Sequence, residues 1–344
     1  MSKLVIQIPC FNEETTIAEA IKELPKQIEG IDQILILVID DGSHDNTAEI
    51  ALKNGADIVI QHPTNRGLAR TFMTGIEASL ALGADIIVNT DADNQYPGHY
   101  ITQLVKPILD KQANLVIGNR QVENNIHFSP IKRALESFGS WIMRIISNTD
   151  VPDAPSGFRA YSRFTALRLQ VYNQFSYTLE TLIQAGRTRT NIVHVPIHTN
   201  PATRPSRLHK GIFHFIWNQG GTILRSYVLY QPLKTFLQVS FPFFLLSIIL
   251  IGRFLFFYLT DQTGVGRYAQ SVSIGGTLGV FGLLLVMIGL LADANSTNRQ
   301  LLESILVAQR DNIKITPDNS SFYGFSLLRK NDKIITRSQS DINS

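Results

Sequence analysis

Two apolar runs near the carboxyl end constrain this chain more than any other feature. Phe236 to Leu259 is almost unbroken, interrupted by Gln238, Pro242 and Arg253, and Val272 to Ala292 carries no charge. Each is about 20 residues or longer, enough for a helix to cross about 30 Å of hydrocarbon. One such run could be the core helix of a soluble domain. Two, side by side with a short polar loop between them, favour a membrane hairpin. Arg253 lies near one end, where its long side chain can carry the charge to the interface. Gly275 and Gly279 have the small-xxx-small spacing that lets two helices approach closely, and the same spacing leaves room for a homo-oligomer.

The flanks orient the hairpin. Arg225 and Lys234 precede it, Arg299 and Arg310 follow it, and the loop between holds only Asp261 and Arg267. Positive-inside reasoning puts both termini in the cytoplasm. The chain opens Met-Ser-Lys and runs straight into a strand pattern, with no signal-peptide core followed by a small-residue cleavage site. Residues 1 to about 200 are therefore expected to be cytosolic. The expected organisation is a catalytic domain over 1–208, interfacial amphipathic helices over 209–234, the hairpin over 235–293, and a C-terminal helix with a poorly ordered polar tail over 294–344. The aromatic residues mixed with His209, His214, Trp217 and Arg225 suggest the interfacial helices.

Charge is distributed unevenly across the 344 residues, although 31 bases nearly balance 28 acids. Residues 1–120 hold 16 acids and 9 bases, whereas 181–260 hold eight bases and no acid. A basic stretch can serve nucleic acid, a membrane surface or an anionic substrate. Here it leads directly into the apolar runs, which argues against nucleic acid. The single cysteine, Cys10, excludes an intramolecular disulfide framework and any multi-cysteine zinc site.

The first 120 residues alternate strand and helix patterns. Leu4–Ile8, Ile34–Ile39, Ile58–Ile60, Ile86–Asn89 and Leu115–Ile117 read as buried strands. Helical patterns cover Glu13–Gln27, Asn46–Asn54, Leu68–Leu82 and His99–Lys111. Such alternation predicts an α/β domain, a mostly parallel sheet with helices on both faces. Ligands of these sheets bind beyond the carboxyl ends of the strands, so the polar residues there are the candidates.

Strand one leads into Pro9-Cys10-Phe11-Asn12-Glu13-Glu14, where Asn12 could cap a helix and Asn12 and Glu13 could bond a base or ribose. Cys10 reads as a small buried residue rather than a nucleophile. Strand two leads into Asp40-Asp41-Gly42-Ser43. Two adjacent carboxylates after an apolar strand need a partner, either turn chemistry or a ligand. Strand four leads into Asp91-Ala92-Asp93-Asn94-Gln95. Carboxylates two apart on an extended segment can divide the work, one facing a ribose and the other a divalent cation.

With Asn65-Arg66-Gly67-Leu68, Gly118-Asn119-Arg120 and Ser156-Gly157-Phe158-Arg159, these segments form an ordered set. Over residues 3–210 it resembles the inverting GT-A glycosyltransferases, and within them the dolichol-phosphate mannosyltransferase-like polyprenyl-phosphate glycosyltransferases with a membrane anchor. The resemblance implies a Rossmann-like GT-A fold. Pro9, Asn12, Glu13, Asp41 and Asp91 would line the nucleotide site, with Asp40 in support. Asp93 and Gln95, with Asp91, would hold Mg²⁺ or Mn²⁺ on the diphosphate. Asp91, Asp93 and Arg120 would carry catalysis. Arg120, Arg133 and Arg204 would bind the acceptor phosphate, joined by Ser206 and Arg207, where the family usually has Gly-x-Ser-Lys.

The implied partners are a UDP- or GDP-sugar, a polyprenyl (undecaprenyl or dolichyl) phosphate and the bilayer of a bacterial inner or plasma membrane. Sugar would pass to the lipid phosphate with inversion. Alternatives at this level are an inactive membrane protein that binds nucleotide-sugar or lipid phosphate, and a transferase for another membrane-associated acceptor. A processive polysaccharide synthase would carry Gln-x-x-Arg-Trp and more spans. A transporter would need more than two.

Overall fold

The computed structural model describes residues 2–121, 137, 139–141, 143–144, 147–171, 177–201, 232–260, 269–315, 321–322 and 325–329. It divides into two compact units, Met1–Lys210 together with Leu306–Ser344, and Gly211–Ile305.

Among the described residues of the first unit, nine strands form one sheet: β1 (Lys3–Cys10), β2 (Gln33–Asp40), β3 (Ile58–Gln61), β4 (Ile86–Asn89), β5 (Leu115–Asn119), β6 (Arg159–Ser162), β7 (Ile192–Pro196), β8 (Ser321–Phe322) and β9 (Phe325–Arg329). Their order is β7-β5-β6-β4-β1-β2-β3-β9-β8. The centre, β4-β1-β2-β3, is parallel, as the strand–helix alternation predicts. On one side β6 inserts antiparallel between β4 and β5, and β7 pairs parallel with β5.

The helices of this unit are α1 (Ile17–Lys22), α2 (Thr47–Asn54), α3 (Leu68–Ala81), α4 (Ile101–Leu109), α5 (Arg163–Arg168) and α6 (Tyr177–Arg187). β1 is buried from Leu4 to Cys10, as a central strand covered on both faces must be. α3 lies close on β1 and β2 because Gly75 has no side chain. A Cβ there would meet Gln7 Oε1 at 2.5 Å and Ile39 Cδ1 at 2.8 Å.

The five expected strands are all present, extended by a residue or two at most ends. The first helix is shorter than its pattern. Asn12 adopts a left-handed φ of 53° and the following residues form a turn, so α1 starts only at Ile17. Pro25 disfavours helical backbone at the residue before it and closes the far end. The tail needs a correction. Phe325–Arg329 is not poorly ordered but pairs antiparallel with β3, Ile58 opposite Arg329 and Gln61 opposite Ser326. Its polar composition concealed a short buried alternation, Phe325 and Leu327 inward and Ser326 outward.

The second unit is an antiparallel helical hairpin. α7 (Pro232–Thr260) and the Ala269–Asn298 part of α8 (Ala269–Asn312) are long and apolar enough to be candidate membrane spans, and α8 continues beyond the unit at Leu306. Only 11% and 17% of their most apolar windows are buried, unlike the core helix of a soluble domain. The expected close approach at Gly275 and Gly279 is present. Added Cβ atoms would come within 3.0 Å of Ile251 and 2.9 Å of Ser247 Oγ. The room lets the Ser247 hydroxyl donate to the Gly275 carbonyl at 2.7 Å. Apart from the first turn of α7, the interfacial helices expected over 209–234 lie outside the described residues.

Candidate active site

Four loops leave the carboxyl ends of β1, β2, β3 and β4 on one rim of the sheet. The first two are zipped together. Asn12 donates its N–H to Ser43 Oγ at 2.8 Å and accepts the His44 N–H on Oδ1 at 2.9 Å. Glu13 donates its N–H to Thr47 Oγ1 at 2.8 Å. Asn12 is therefore no helix cap; α1 is preceded by Thr16. The left-handed turn spends its amide group on the neighbouring loop.

The two aspartates after β2 are both buried and bound to the protein's own donors. Asp40 accepts the Ser43 N–H at 3.0 Å and Gln61 Nε2 at 3.1 Å. Asp41 accepts the Arg66 and Gly67 N–H groups, each at 2.9 Å, and meets His62 Nδ1 at 2.8 Å. Burial pushes the Asp41 carboxyl up, but hydrogen bonds from His62, Arg66, Gly67 and Thr71 outweigh it and hold it below the usual carboxylate range. Gly42, at φ 74°, is required in this turn, since a Cβ would meet the Thr64 carbonyl carbon at 2.8 Å. The rim under the proposed nucleotide site is thus a rigid frame of carboxylates and amides. Cys10 sits beneath it, buried, its thiol pushed well up by that burial and by Asp40 and Glu13. It is no thiolate nucleophile.

The loop after β4 is different. Asp91, Asp93 and Gln95 are only half-buried, with the Asp93 carboxylate accepting the Gln95 N–H at 3.1 Å. Asn94 turns the chain at φ 55° and donates to Glu23 at 3.0 Å. Below Asp91 lies a buried polar network: Gln7 donates to Asn89 at 2.9 Å, and Asn89 donates to the Gly157 carbonyl at 2.9 Å and to the Tyr177 hydroxyl at 3.0 Å. Gly157 lets the Tyr177 hydroxyl pack close beside Asp91. A Cβ there would lie 3.6 Å from both Asp91 carboxylate oxygens and 2.6 Å from the Tyr177 hydroxyl. Burial, reinforced by Asp91, pushes the Tyr177 hydroxyl well up, so it remains a neutral donor.

Two carboxylates and an amide oxygen in one turn are hard oxygen donors suited to Mg²⁺ or Mn²⁺. Among the described residues no three His, Cys, Asp or Glu side chains cluster closely enough to cage a metal. The donor set therefore fits a cation that draws its remaining oxygens from a bound substrate, the usual pattern for magnesium on phosphates.

Arg120 is buried, and its guanidinium is held bidentately by Asp153: Nε to Oδ2 at 2.8 Å and Nη2 to Oδ1 at 2.8 Å, with the Arg120 N–H on Oδ2 at 2.9 Å. Burial pushes the nearby Tyr96 hydroxyl up, with Arg120 opposing it and Asp91 and Asp153 reinforcing it. Arg159, fully buried, is satisfied instead by neutral oxygens of Ser156, Ala154, Thr178 and Thr181. Asn200 donates its N–H to the Gln95 carbonyl at 3.0 Å and its side chain to the Asn94 carbonyl at 2.9 Å. The segment that carries Arg204, Ser206 and Arg207 thus departs from beside the Asp93–Gln95 turn. Those three residues and Arg133 themselves lie outside the described residues.

Asp153, His62 and Tyr177 were missed by motif reading. His62 stands at a strand end, where the same inspection that singled out Asp41 would have found it. Asp153 belongs to no spacing pattern; only the fold brings it to Arg120.

Comparison with known proteins gives the family and the fold. Residues 5–169 match the model of glycosyl transferase family 2. The chain is 32% identical over 217 residues to a UDP-N-acetylglucosamine–dolichyl-phosphate N-acetylglucosaminyltransferase of Methanococcus voltae, covering 56% of this chain and 83% of the relative. It is 26% identical over 200 residues to an undecaprenyl-phosphate mannosyltransferase of Micrococcus luteus, covering 55% and 80%. A glucosyl-3-phosphoglycerate synthase from Mycobacterium tuberculosis, solved with Mn²⁺, UDP-glucose and glycerol 3-phosphate, shares the fold at a TM-score of 0.50 and 20% identity, over 66% of this chain and 79% of that one. The chain is a GT-A-fold glycosyltransferase and belongs to family 2, among the polyprenyl-phosphate glycosyltransferases.

Proposed function

We propose that this protein transfers a sugar from a UDP- or GDP-sugar to a polyprenyl phosphate, with inversion, at the cytoplasmic face of a membrane. One observation carries the reading: Asn200 ties the root of the basic segment to the Asp93–Gln95 turn, so the donor's diphosphate and the acceptor's phosphate would meet at one rim. The names of the relatives support a polyprenyl-phosphate acceptor, and the basic flanks of the hairpin support cytoplasmic termini.

The loops carrying Pro9, Asn12, Glu13, Asp40 and Asp41 would form the wall against the base and ribose, with Asp91 on the nucleotide side. Asp91, Asp93 and Gln95 would hold Mg²⁺ or Mn²⁺, which would neutralise charge on the departing diphosphate. A phosphate monoester, with a second pKa of about 6, is largely dianionic at neutral pH and needs no strong base to attack. Its oxygen would bond the anomeric carbon opposite the leaving diphosphate, inverting that centre. Arg120, Arg133, Arg204, Ser206 and Arg207 would bind the acceptor phosphate and offset the repulsion between two anions.

The test is transfer of labelled sugar from UDP- and GDP-sugars to polyprenyl phosphate with Mn²⁺ or Mg²⁺. Organic-extractable label that is lost in Asp93→Ala supports the reading. Arg204→Ala should raise the acceptor KM while leaving the donor KM near wild type. Absence of lipid-linked label with every donor overturns it.

A further inference from the structure

The strand that follows the hairpin does more than extend the sheet. In the β3–β9 ladder Gln61 faces Ser326, so Phe325 lies one step beyond, opposite His62, at the carboxyl rim of the sheet. Its ring packs on the His62 imidazole with centroids 4.5 Å apart. The guanidinium carbon of Arg66 lies 4.8 Å from the centre of the same ring. Both residues end on Asp41, His62 through Nδ1 at 2.8 Å and Arg66 through its backbone N–H at 2.9 Å. The turn over 62–67 is therefore clamped twice, its backbone by Asp41 and its side chains by an aromatic ring from the far end of the chain. Phe325 is 9% exposed and His62 3%, so the contact is shielded from water.

We propose that Phe325 is a positioning residue for the nucleotide-diphosphate site, fixing the 62–67 turn through His62 and Arg66. The proposal rests on the donor-site assignment made above. It means that a segment encoded after the apolar hairpin completes the donor wall. A cation over an aromatic face and a ring-on-ring contact are each modest, but they act on the turn whose amides hold Asp41, a residue of the proposed donor wall.

The experiment compares the full-length protein with Phe325→Leu, which keeps apolar volume but removes the ring, and Phe325→Tyr, which restores it. UDP and GDP binding are measured with Mn²⁺, donor and acceptor KM are measured separately, and amide exchange is followed by peptide. Phe325→Leu should weaken binding of whichever nucleotide the wild type takes, and raise donor KM, by about tenfold. Acceptor KM should stay near wild type and Phe325→Tyr should recover donor binding. Exchange should quicken over 62–70 while β1 and β4 stay protected, which also reports that the variant is folded. Unchanged nucleotide affinity, or donor and acceptor failing together, or exchange rising throughout the sheet, overturns the proposal. A wild type that binds nucleotide but forms no lipid-linked sugar sinks the transfer reading alone, and the binding and exchange results still decide the role of Phe325. A wild type that binds neither nucleotide overturns both.

Discussion

Asp41 and Asp91 stand on the same sheet rim and do opposite things. Asp41 is buried and receives the His62 ring nitrogen and two backbone amides, so its charge is consumed in holding the protein's own turn. Asp91 and Asp93 are half-buried, and Asp91 lies next to Gly157. Identical chemistry placed two strands apart is bound into the fold in one case and left half-buried in the other, where the proposed function puts it to work. Backbone donors saturate a carboxylate cheaply because they are already ordered; a half-buried carboxylate keeps part of its surface towards solvent.

The largest expected effect separates these roles. Asp93→Ala should cut transfer by about 100-fold or more, about 3 kcal/mol of transition-state stabilisation, with thermal stability near wild type. Asp41→Ala should instead lower the unfolding midpoint, because it strands buried donors. If Asp41→Ala leaves stability intact, the distinction between frame and machinery is broken.

Next comes Asp153→Ala, which leaves the Arg120 guanidinium buried without its bidentate partner. Loss of one member of a buried pair costs about 3–5 kcal/mol, so chemical denaturation should show a large drop in midpoint. Gly157→Ala should be milder in stability, about 1–3 kcal/mol for overpacking against Tyr177, and it should depress kcat by shifting the Tyr177 hydroxyl next to Asp91. A kcat unchanged in Gly157→Ala would show that the Tyr177 hydroxyl plays no part in holding the site.

The smallest effect is in pH. The Asp41 carboxyl is held below its unfolded value, so its ionised form is favoured in the folded state. Its contribution to stability should be fully present above the unfolded carboxylate range of about pH 4 and fade as pH falls through the lower folded pKa. The stability difference between wild type and Asp41→Asn should therefore shrink under acid. A difference that grows on acidification would contradict the sign.

Much of this site was legible in the chain. Strand ends followed from β-branched runs, and Asp91-Ala92-Asp93 and Asp40-Asp41 stood out because paired carboxylates after apolar strands demand an explanation. The two candidate spans and their glycine contact were legible from hydropathy and spacing. The partner residues were not. Asp153 meets Arg120 across 33 residues, and Tyr177 meets Asn89 across 88, separations at which no period operates. Phe325 meets His62 only because β9 returns to the edge of β3 after the whole hairpin.

The sequence alone therefore determined the alternation of strand and helix, the acidic rim, the basic approach and the apolar hairpin. These are local properties, set by side-chain periodicity and by the cost of burying charge. Only the tertiary structure decided which carboxylates are buried on the protein's own donors and which stay half-buried, and that the last strand belongs to the first unit. Those outcomes depend on which groups satisfy one another across the sheet, and hydrogen-bond satisfaction is settled by packing rather than by spacing.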